Sequence, residues 1–272
     1  MSINVHFATE NNTVEYTKFA IETMLRLANK PNEIITTIHI LETSPQNIIS
    51  NLNKVNCVMV TNSIDKLRGS FGHGLALEQM LSFTKDENTH IIMDSDTVLL
   101  AKDWDLYAES ALKTFDCIGT EYENIGGFSS GDGKLQTYKN IPNFIWLALT
   151  PKHDWTNLKA AHQKSIPIDI STEELSKIYN LPIGYQVLCD VGWQLPAYLH
   201  KNNLTHKGIR QIKPSSDESV VLHGLSDYHE EYHVNNAPFL VHQRGSSKHA
   251  FRKGISKNFY DAVDAYIKNH LI

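Results

Sequence analysis

The sequence predicts an α/β fold, a mixed and mostly parallel sheet flanked by helices. Short apolar, strand-like runs alternate with helical segments through the first half of the chain, the pattern of strands joined by crossover helices. The 272 residues are 41% hydrophobic and 20% charged, enough apolar material for a core that needs neither disulfides nor a structural metal. No repeat, low-complexity tract or linker divides the chain, so a single domain is expected over residues 1–272, with its halves meeting near 122.

Ile3 to Ala8 is apolar and extended and opens onto the polar turn Thr9 to Asn12. Thr13 is placed to cap a helix whose Tyr16, Phe19, Ala20, Thr23, Met24 and Leu27 recur at helical spacing until Pro31 stops it. A second strand follows over Ile34 to Leu41, and Ser44-Pro45 starts a short helix with Pro at its first position. Val55 to Val60 is a third strand. The loop Arg68 to Gly74 leads into a helix over Leu75 to Phe83, and His90 to Met93 is a fourth strand. Asp103 is placed to cap the helix Trp104 to Leu112, ahead of a strand from Phe115 to Gly119. Beyond it the alternation stops.

Gly126, Gly127, Gly131 and Gly133 mark a loop, and Asn143 to Leu149 reads as a strand or a buried segment. Ser171 and Glu174 form a capping box for Ser171 to Tyr179, and Asp190 stands before a helix over Val191 to Leu199. Val220 to Leu222 and Phe239 to Val241 are short strands. Ser256 to Leu271 is an amphipathic helix that buries Phe259, Val263 and Ile267.

With 25 basic and 30 acidic residues the net charge is −5, so no broad positive field is available for nucleic acid and an anionic ligand must be held locally. No run approaches the ~18 apolar residues of a membrane span, and Met1 to Thr9 is not a signal peptide. Cys57, Cys117 and Cys189 have no close spacing, which fits reduced thiols and a cytoplasmic setting. The oligomeric state is left open, and the two Asn-x-Thr sequons at Asn11 and Asn203 carry no weight without a secretory context.

The chemistry concentrates at Asp94-Ser95-Asp96, directly after the apolar run His90 to Met93. Open α/β sheets bind ligands at the carboxyl ends of their strands. Residues two apart on an extended chain share a side, so both carboxylates can face one cation while Ser95 faces away. Carboxylates select a hard divalent ion, Mg2+ or Mn2+, suited to neutralising a diphosphate. Asp103-Trp104-Asp105 repeats the pattern but is more simply a helix cap.

This arrangement resembles the GT-A fold of nucleotide-sugar glycosyltransferases, diffusely but over most of the chain. Val5 to Asn11 matches the nucleotide-binding strand and loop of that group. Gly69 to Gly74 with the helix behind it resembles the donor loop of family 2-like members. His242-Gln243-Arg244-Gly245-Ser246-Ser247-Lys248 has the His-x-x-Gly-x-x-Lys spacing found near the C-terminus of retaining members such as glycosyltransferase family 8. The resemblance implies that Asp94, Asp96 and His242 hold the metal, that Gly245 lets the backbone approach, and that Lys248 meets the diphosphate of a UDP-sugar. Thr9, Asn11, Arg68, His73, Asp94 and Ser95 join Lys248 as implied nucleotide contacts. Residues to about 122 would form the nucleotide half, the remainder the acceptor half, with a saccharide or other hydroxyl compound as acceptor.

Gly184 to Asp190 resembles the glycine loop and Glu-Asp motif of inverting members, in which the Asp deprotonates the acceptor, although Cys189 stands where Glu is usual. Asp190 is the implied catalytic base. The two motifs point to opposite stereochemistry, and both outcomes stay open with inversion slightly favoured. Trp146, Trp155, Trp193 and Tyr185 are either sugar-stacking or core residues.

Two rival readings come from other classes. His229-Glu230-Glu231-Tyr232-His233 matches HExxH, in which two histidines one helical turn apart bind zinc and the Glu activates water, but Asn235 to Pro238 soon stops any helix. A catalytically inactive, carbohydrate-binding version of the same fold is the other. Asp94 to Val98 also resembles the first motif of haloacid-dehalogenase phosphatases, but three strands precede it where that group has none. A pyrophosphorylase would need a Gly-rich, Arg-bearing loop that Thr9 to Asn12 does not supply.

Overall fold

The first strand, β1 (Ile3–Thr9), buries Ile3, Val5 and Phe7 on one face, and α1 (Val14–Leu27) covers that face with Ala20, Ile21, Met24 and Leu27. In this computed structural model the described residues are 2–40, 46, 52, 58–61, 70–121, 142–158, 166–167, 186–187, 195–226, 228–245 and 248–271. Thr13 stands at the α1 N-cap but does not cap it; its hydroxyl accepts from Glu10 N at 3.0 Å. The chain continues through β2 (Ile34–Ile40), β3 (Val58–Thr61), α2 (Ser70–Ser82), β4 (Thr89–Met93), β5 (Thr97–Leu99), α3 (Trp104–Ala111), β6 (Cys117–Glu121) and β7 (Pro142–Leu149). After the two-residue strands β8 (Ile166–Pro167) and β9 (Gln186–Val187) come α4 (Leu195–Lys201), β10 (His206–Ile212), β11 (His229–Val234), β12 (Ala237–Gln243) and α5 (Ile255–His270).

Among the described residues, ten strands form one sheet in the order β3-β2-β1-β4-β7-β6-β10-β11-β12-β5. The pairs β3–β2, β2–β1, β1–β4 and β6–β10 are parallel. The pairs β4–β7, β7–β6, β10–β11, β11–β12 and β12–β5 are antiparallel. Antiparallel pairing therefore predominates, and the expectation of a mostly parallel sheet is overturned. For one of these pairs the reason is local. Parallel neighbours need a crossover of about a dozen residues or more, while a short turn can join only antiparallel ones. β11 and β12 are joined by Asn235-Asn236 alone, at φ 50 and 63, the left-handed backbone of a tight hairpin.

The sheet also closes on itself. β4 and β5 stand six places apart in the strand order, roughly 29 Å in a flat sheet at ~4.8 Å per strand. Only Asp94, Ser95 and Asp96 lie between them, and that link reaches about 14 Å at most. The sheet must curl into a half-barrel to satisfy both facts. α2 and α4 cover the face opposite α1, packing Ala76, Leu77, Met80, Leu81, Leu195 and Leu199 on Ile92, Leu147 and Leu149. At the closing edge, Phe259, Tyr260, Val263 and Ile267 of α5 bury Val98 and Val241. Burying each such side chain contributes ~1.5–3 kcal/mol.

Several local expectations change. α2 begins at Ser70, so Gly72 and Gly74 lie inside the helix rather than in a loop before it. Val220, Val221 and Leu222 form no strand: their amides donate to the Glu231 carboxylate at 2.9–3.1 Å. Asp103 precedes α3 in a left-handed conformation without a capping bond, while the buried Asp105 accepts from Asn29 N and Lys30 N, both at 2.9 Å. Gly119 is required where β6 meets β7, since a Cβ there would stand 2.7 Å from the Trp146 carbonyl oxygen. The helices expected at Ser44-Pro45 and Ser171–Tyr179 and the loop at Gly126–Gly133 lie outside the described residues, Gln46 aside. Among the described residues no helix is long and apolar enough to cross a membrane.

Candidate metal centre

β4 ends in the buried run His90 to Met93, and the chain turns at once. Asp94 N donates to Ile145 O of β7 at 3.0 Å, and Thr97 N donates back to Asp94 O at 3.2 Å. The two carboxylates converge because of this turn, not because of the extended spacing expected from sequence. β12 reaches the same place from far along the chain: Thr97 pairs with His242, and Gln243 N donates to Asp96 O at 3.2 Å. His242 Nε2 then lies 3.3 Å from Asp96 Oδ1 and 3.9 Å from Asp94 Oδ2. One ligand atom from each of the three residues falls within 4.8 Å of the others.

This donor set fits a divalent cation. Ligands about 2.1 Å from one ion stand roughly 3–4 Å apart when adjacent, close to the separations observed. The set is chemically apt as well, two carboxylates and an imidazole whose Nε2 faces them. Its other nitrogen, Nδ1, is 2.7 Å from Glu230 Oε2. Glu230 Oε1 takes Arg244 Nε at 3.1 Å, and Tyr232 donates its hydroxyl to Oε2 at 3.2 Å.

The electrostatics follow from burial among charges. Burial pushes the His242 imidazole down, but the charge and hydrogen bonds of Asp96 and Glu230 raise its pKa well above the usual value. Burial pushes Glu230 up, and its bond to His242, that residue's charge, Arg244 and Tyr232 bring it below the ordinary carboxylate range. A proton and a cation would compete for the Nε2 lone pair, so any cation held there is released as pH falls.

The other expected residues distribute around this point. His73, in the first turns of α2, places Nε2 3.0 Å from Asp94 Oδ1. Thr9 ends β1 beside β4, buried, its hydroxyl engaged by Thr17 at 2.8 Å; Asn11 is exposed on the following turn. Ser95 is half-buried between the two acids. Gly245 takes φ +65 in the turn after β12, a backbone conformation that glycine adopts readily. Lys248 is exposed six residues past His242, its amide donating to Gly245 O at 3.0 Å. Trp146 and Trp155 are fully buried core residues. Arg68, Asp190, Tyr185 and Trp193 lie outside the described residues.

The HExxH segment is a strand, β11, which corrects the zinc reading. Four residues along a strand separate His229 from His233 by about 13 Å, where a helix would stack them. His229 packs on Phe259, and burial with the charges of His242 and His249 lowers its pKa to about 4. Glu231 instead anchors the 219–222 loop and accepts from His233 at 2.6 Å. Glu230, Tyr232 and Arg244 were not expected at the metal centre. The signal available for them was Asn235-Asn236, a hairpin turn that sets Glu230 directly across from His242.

No protein-family model matches the chain, and no curated protein matches it in sequence. Among solved structures it overlaps mouse xyloside xylosyltransferase 1 at a TM-score of 0.46 and 11% identity, over 77% of this chain and 85% of that one. It overlaps the galactosyltransferase LgtC, solved with donor and acceptor sugar analogues, at 0.43 and 14%, over 75% and 72%. The overlap with S. aureus TarS 1–349 has a TM-score of 0.39 at 13% identity, over 59% of this chain, which spans 50% of the TarS fragment. These are partial overlaps, and the chemistry is read from the side chains.

Proposed function

We propose that this chain is a metal-dependent glycosyltransferase that moves a sugar from a nucleoside diphosphate donor, UDP-linked, to a hydroxyl acceptor. One observation carries the reading: Asp94, Asp96 and His242 converge across the closure of the half-barrel. When bound, Mn2+ or Mg2+ supplies a fixed positive charge where the departing diphosphate gains negative charge. Asp94, Asp96 and His242 hold that charge, and the Lys248 ammonium adds a second from the loop after β12. Thr9, Asn11, Arg68, His73 and Ser95 contact the nucleotide in this proposal. Asp190 takes the acceptor proton if the reaction inverts; a retaining outcome needs no such base. Residues 1–122 would serve the nucleotide and 123–272 the acceptor within one domain, in a cytoplasmic setting.

The test is release of free nucleotide from a panel of UDP-, GDP- and dTDP-sugars, with and without Mn2+. Metal-dependent release from a UDP-sugar, abolished in Asp96→Asn, is the expected result. Donor binding with no consumption of any sugar nucleotide would overturn the transferase reading in favour of a silent binding module. His229→Ala is expected to keep turnover, because that side chain packs on Phe259 and stands outside the candidate metal-binding set of Asp94, Asp96 and His242.

A further inference from the structure

We infer that Glu230 is the positioning residue of the metal centre: it fixes the tautomer and direction of His242 and thereby sets the affinity for the cation. The inference rests on the reading of Asp94, Asp96 and His242 as a metal site, but not on sugar transfer. Glu230 is only 2% exposed and stands directly across from His242 on the neighbouring strand. Its Oε2 accepts from His242 Nδ1 at 2.7 Å, which requires the proton on Nδ1 and leaves the Nε2 lone pair for the cation. A carboxylate on the far nitrogen also makes the imidazole a more basic ligand.

A buried carboxylate is costly unless its partners compensate, and the partners here are shared out between two duties. Oε2 receives Tyr232 Oη at 3.2 Å together with the imidazole, while Oε1 faces Arg244 Nε at 3.1 Å. Tyr232 and Arg244 thus hold the carboxylate from two sides, so that it holds the histidine in turn. The neighbouring Glu231, with 0% exposure and bonds to Ser219, Val220, Val221, Leu222 and His233, is a carboxylate of the purely structural kind on the same strand.

The experiment measures Mn2+ binding by electron paramagnetic resonance titration on the full chain, without any sugar nucleotide. Glu230→Gln is expected to weaken Mn2+ binding ~10–100-fold, the range seen when such outer partners are lost. Glu230→Asp, which keeps the charge but falls short of Nδ1, is expected to weaken it as well, and Tyr232→Phe to do so by only a few-fold. Glu231→Gln is expected to lower thermal stability with Mn2+ affinity unchanged. A folded Glu230→Gln or Glu230→Asp with wild-type Mn2+ affinity overturns the inference, as does wild-type protein that binds no Mn2+. If Glu230→Gln does not fold, the Asp and Tyr232→Phe variants decide. Loss of metal binding in the variants, alongside wild-type protein that binds Mn2+ but turns over no donor, would remove the proposed function and leave this inference standing.

Discussion

At His242 everything depends on which nitrogen carries the proton. Glu230 holds the proton on Nδ1, so it is the proton on Nε2, 3.3 Å from Asp96, that a cation must displace. Asp96→Asn or His242→Ala is expected to reduce Mn2+ affinity by more than the ~10–100-fold typical of an outer partner. Isothermal titration checks it, and a smaller loss in both variants would mean that the ion sits elsewhere. The acids were legible in sequence because they follow a strand and carboxylates suit a hard cation, whereas His242 was legible only through the His-x-x-Gly-x-x-Lys resemblance. Glu230 was not, since the letters of HExxH suggest a helix and only the pairing of β11 with β12 shows what the carboxylate faces.

Between elements, the sheet carries a second ordered set of imidazoles. His39 on β2, His6 on β1 and His90 on β4 form a buried chain, with His6 Nδ1 3.1 Å from His39 Nε2 and His6 Nε2 2.9 Å from His90 Nδ1. His90 Nε2 ends it on Asp86 Oδ1 at 2.8 Å. The carboxylate can only accept, so each ring donates toward Asp86, and His39 Nδ1 is left as a buried acceptor with no hydrogen bond among the described residues. Burial lowers all three pKa values, that of His39 to about 4. Neutral rings stabilise the fold fully above the unfolded value of about 6.5, and that advantage is lost as pH falls from there to about 4, since the unfolded chain takes up protons first. His39 alone accounts for a loss on the order of 3 kcal/mol across this window, and His229 adds to it. Urea denaturation at pH 7, 5.5 and 4.5 is expected to show the midpoint dropping, less so in His39→Leu. An unchanged slope in that variant would contradict the account. Glu231, held at about 2, acts only below its ordinary value near 4.5 and does not confuse the comparison.

The same scale explains how far the fold could be read. β1 to β4 follow the alternation of strand and helix, and that alternation correctly signals their parallel pairing. β10 and β11 are rich in His, Lys, Arg and Glu, and neither a propensity nor a period-two apolar pattern marks them as strands. The antiparallel pairing of β11 with β12 depends on the turn at Asn235-Asn236, a short-range signal that the apolar pattern does not carry. Asn236→Val forces a β-branched residue to φ 63 and is expected to cost ~1–2 kcal/mol in urea denaturation. A neutral result would show that the hairpin tolerates other turn geometry.

Over the whole molecule, the half-barrel and the metal centre are one design. The three-residue link from β4 to β5 forces the sheet round until β12 pairs with β5, and that closure delivers His242 to the two acids. α5 holds the seam from outside with Phe259 and Val263 on Val98 and Val241. Phe259→Ala is expected to cost ~3–5 kcal/mol of stability, read from the urea midpoint, and to lower Mn2+ affinity with it. Because the three candidate ligands come from both sides of the seam, any cation they hold is linked to folding. Mn2+ at a hundredfold its Kd is expected to add about 2.7 kcal/mol, seen as a rise in Tm that Asp96→Asn abolishes.

The most direct test of this convergence is pulsed electron paramagnetic resonance of the Mn2+-loaded protein, which detects nitrogen bound to the ion. The account predicts one Mn2+ per chain with the coupling of a single imidazole nitrogen, lost in His242→Ala and kept in His73→Ala. No nitrogen coupling in the wild-type protein, or a coupling that survives His242→Ala, would contradict it.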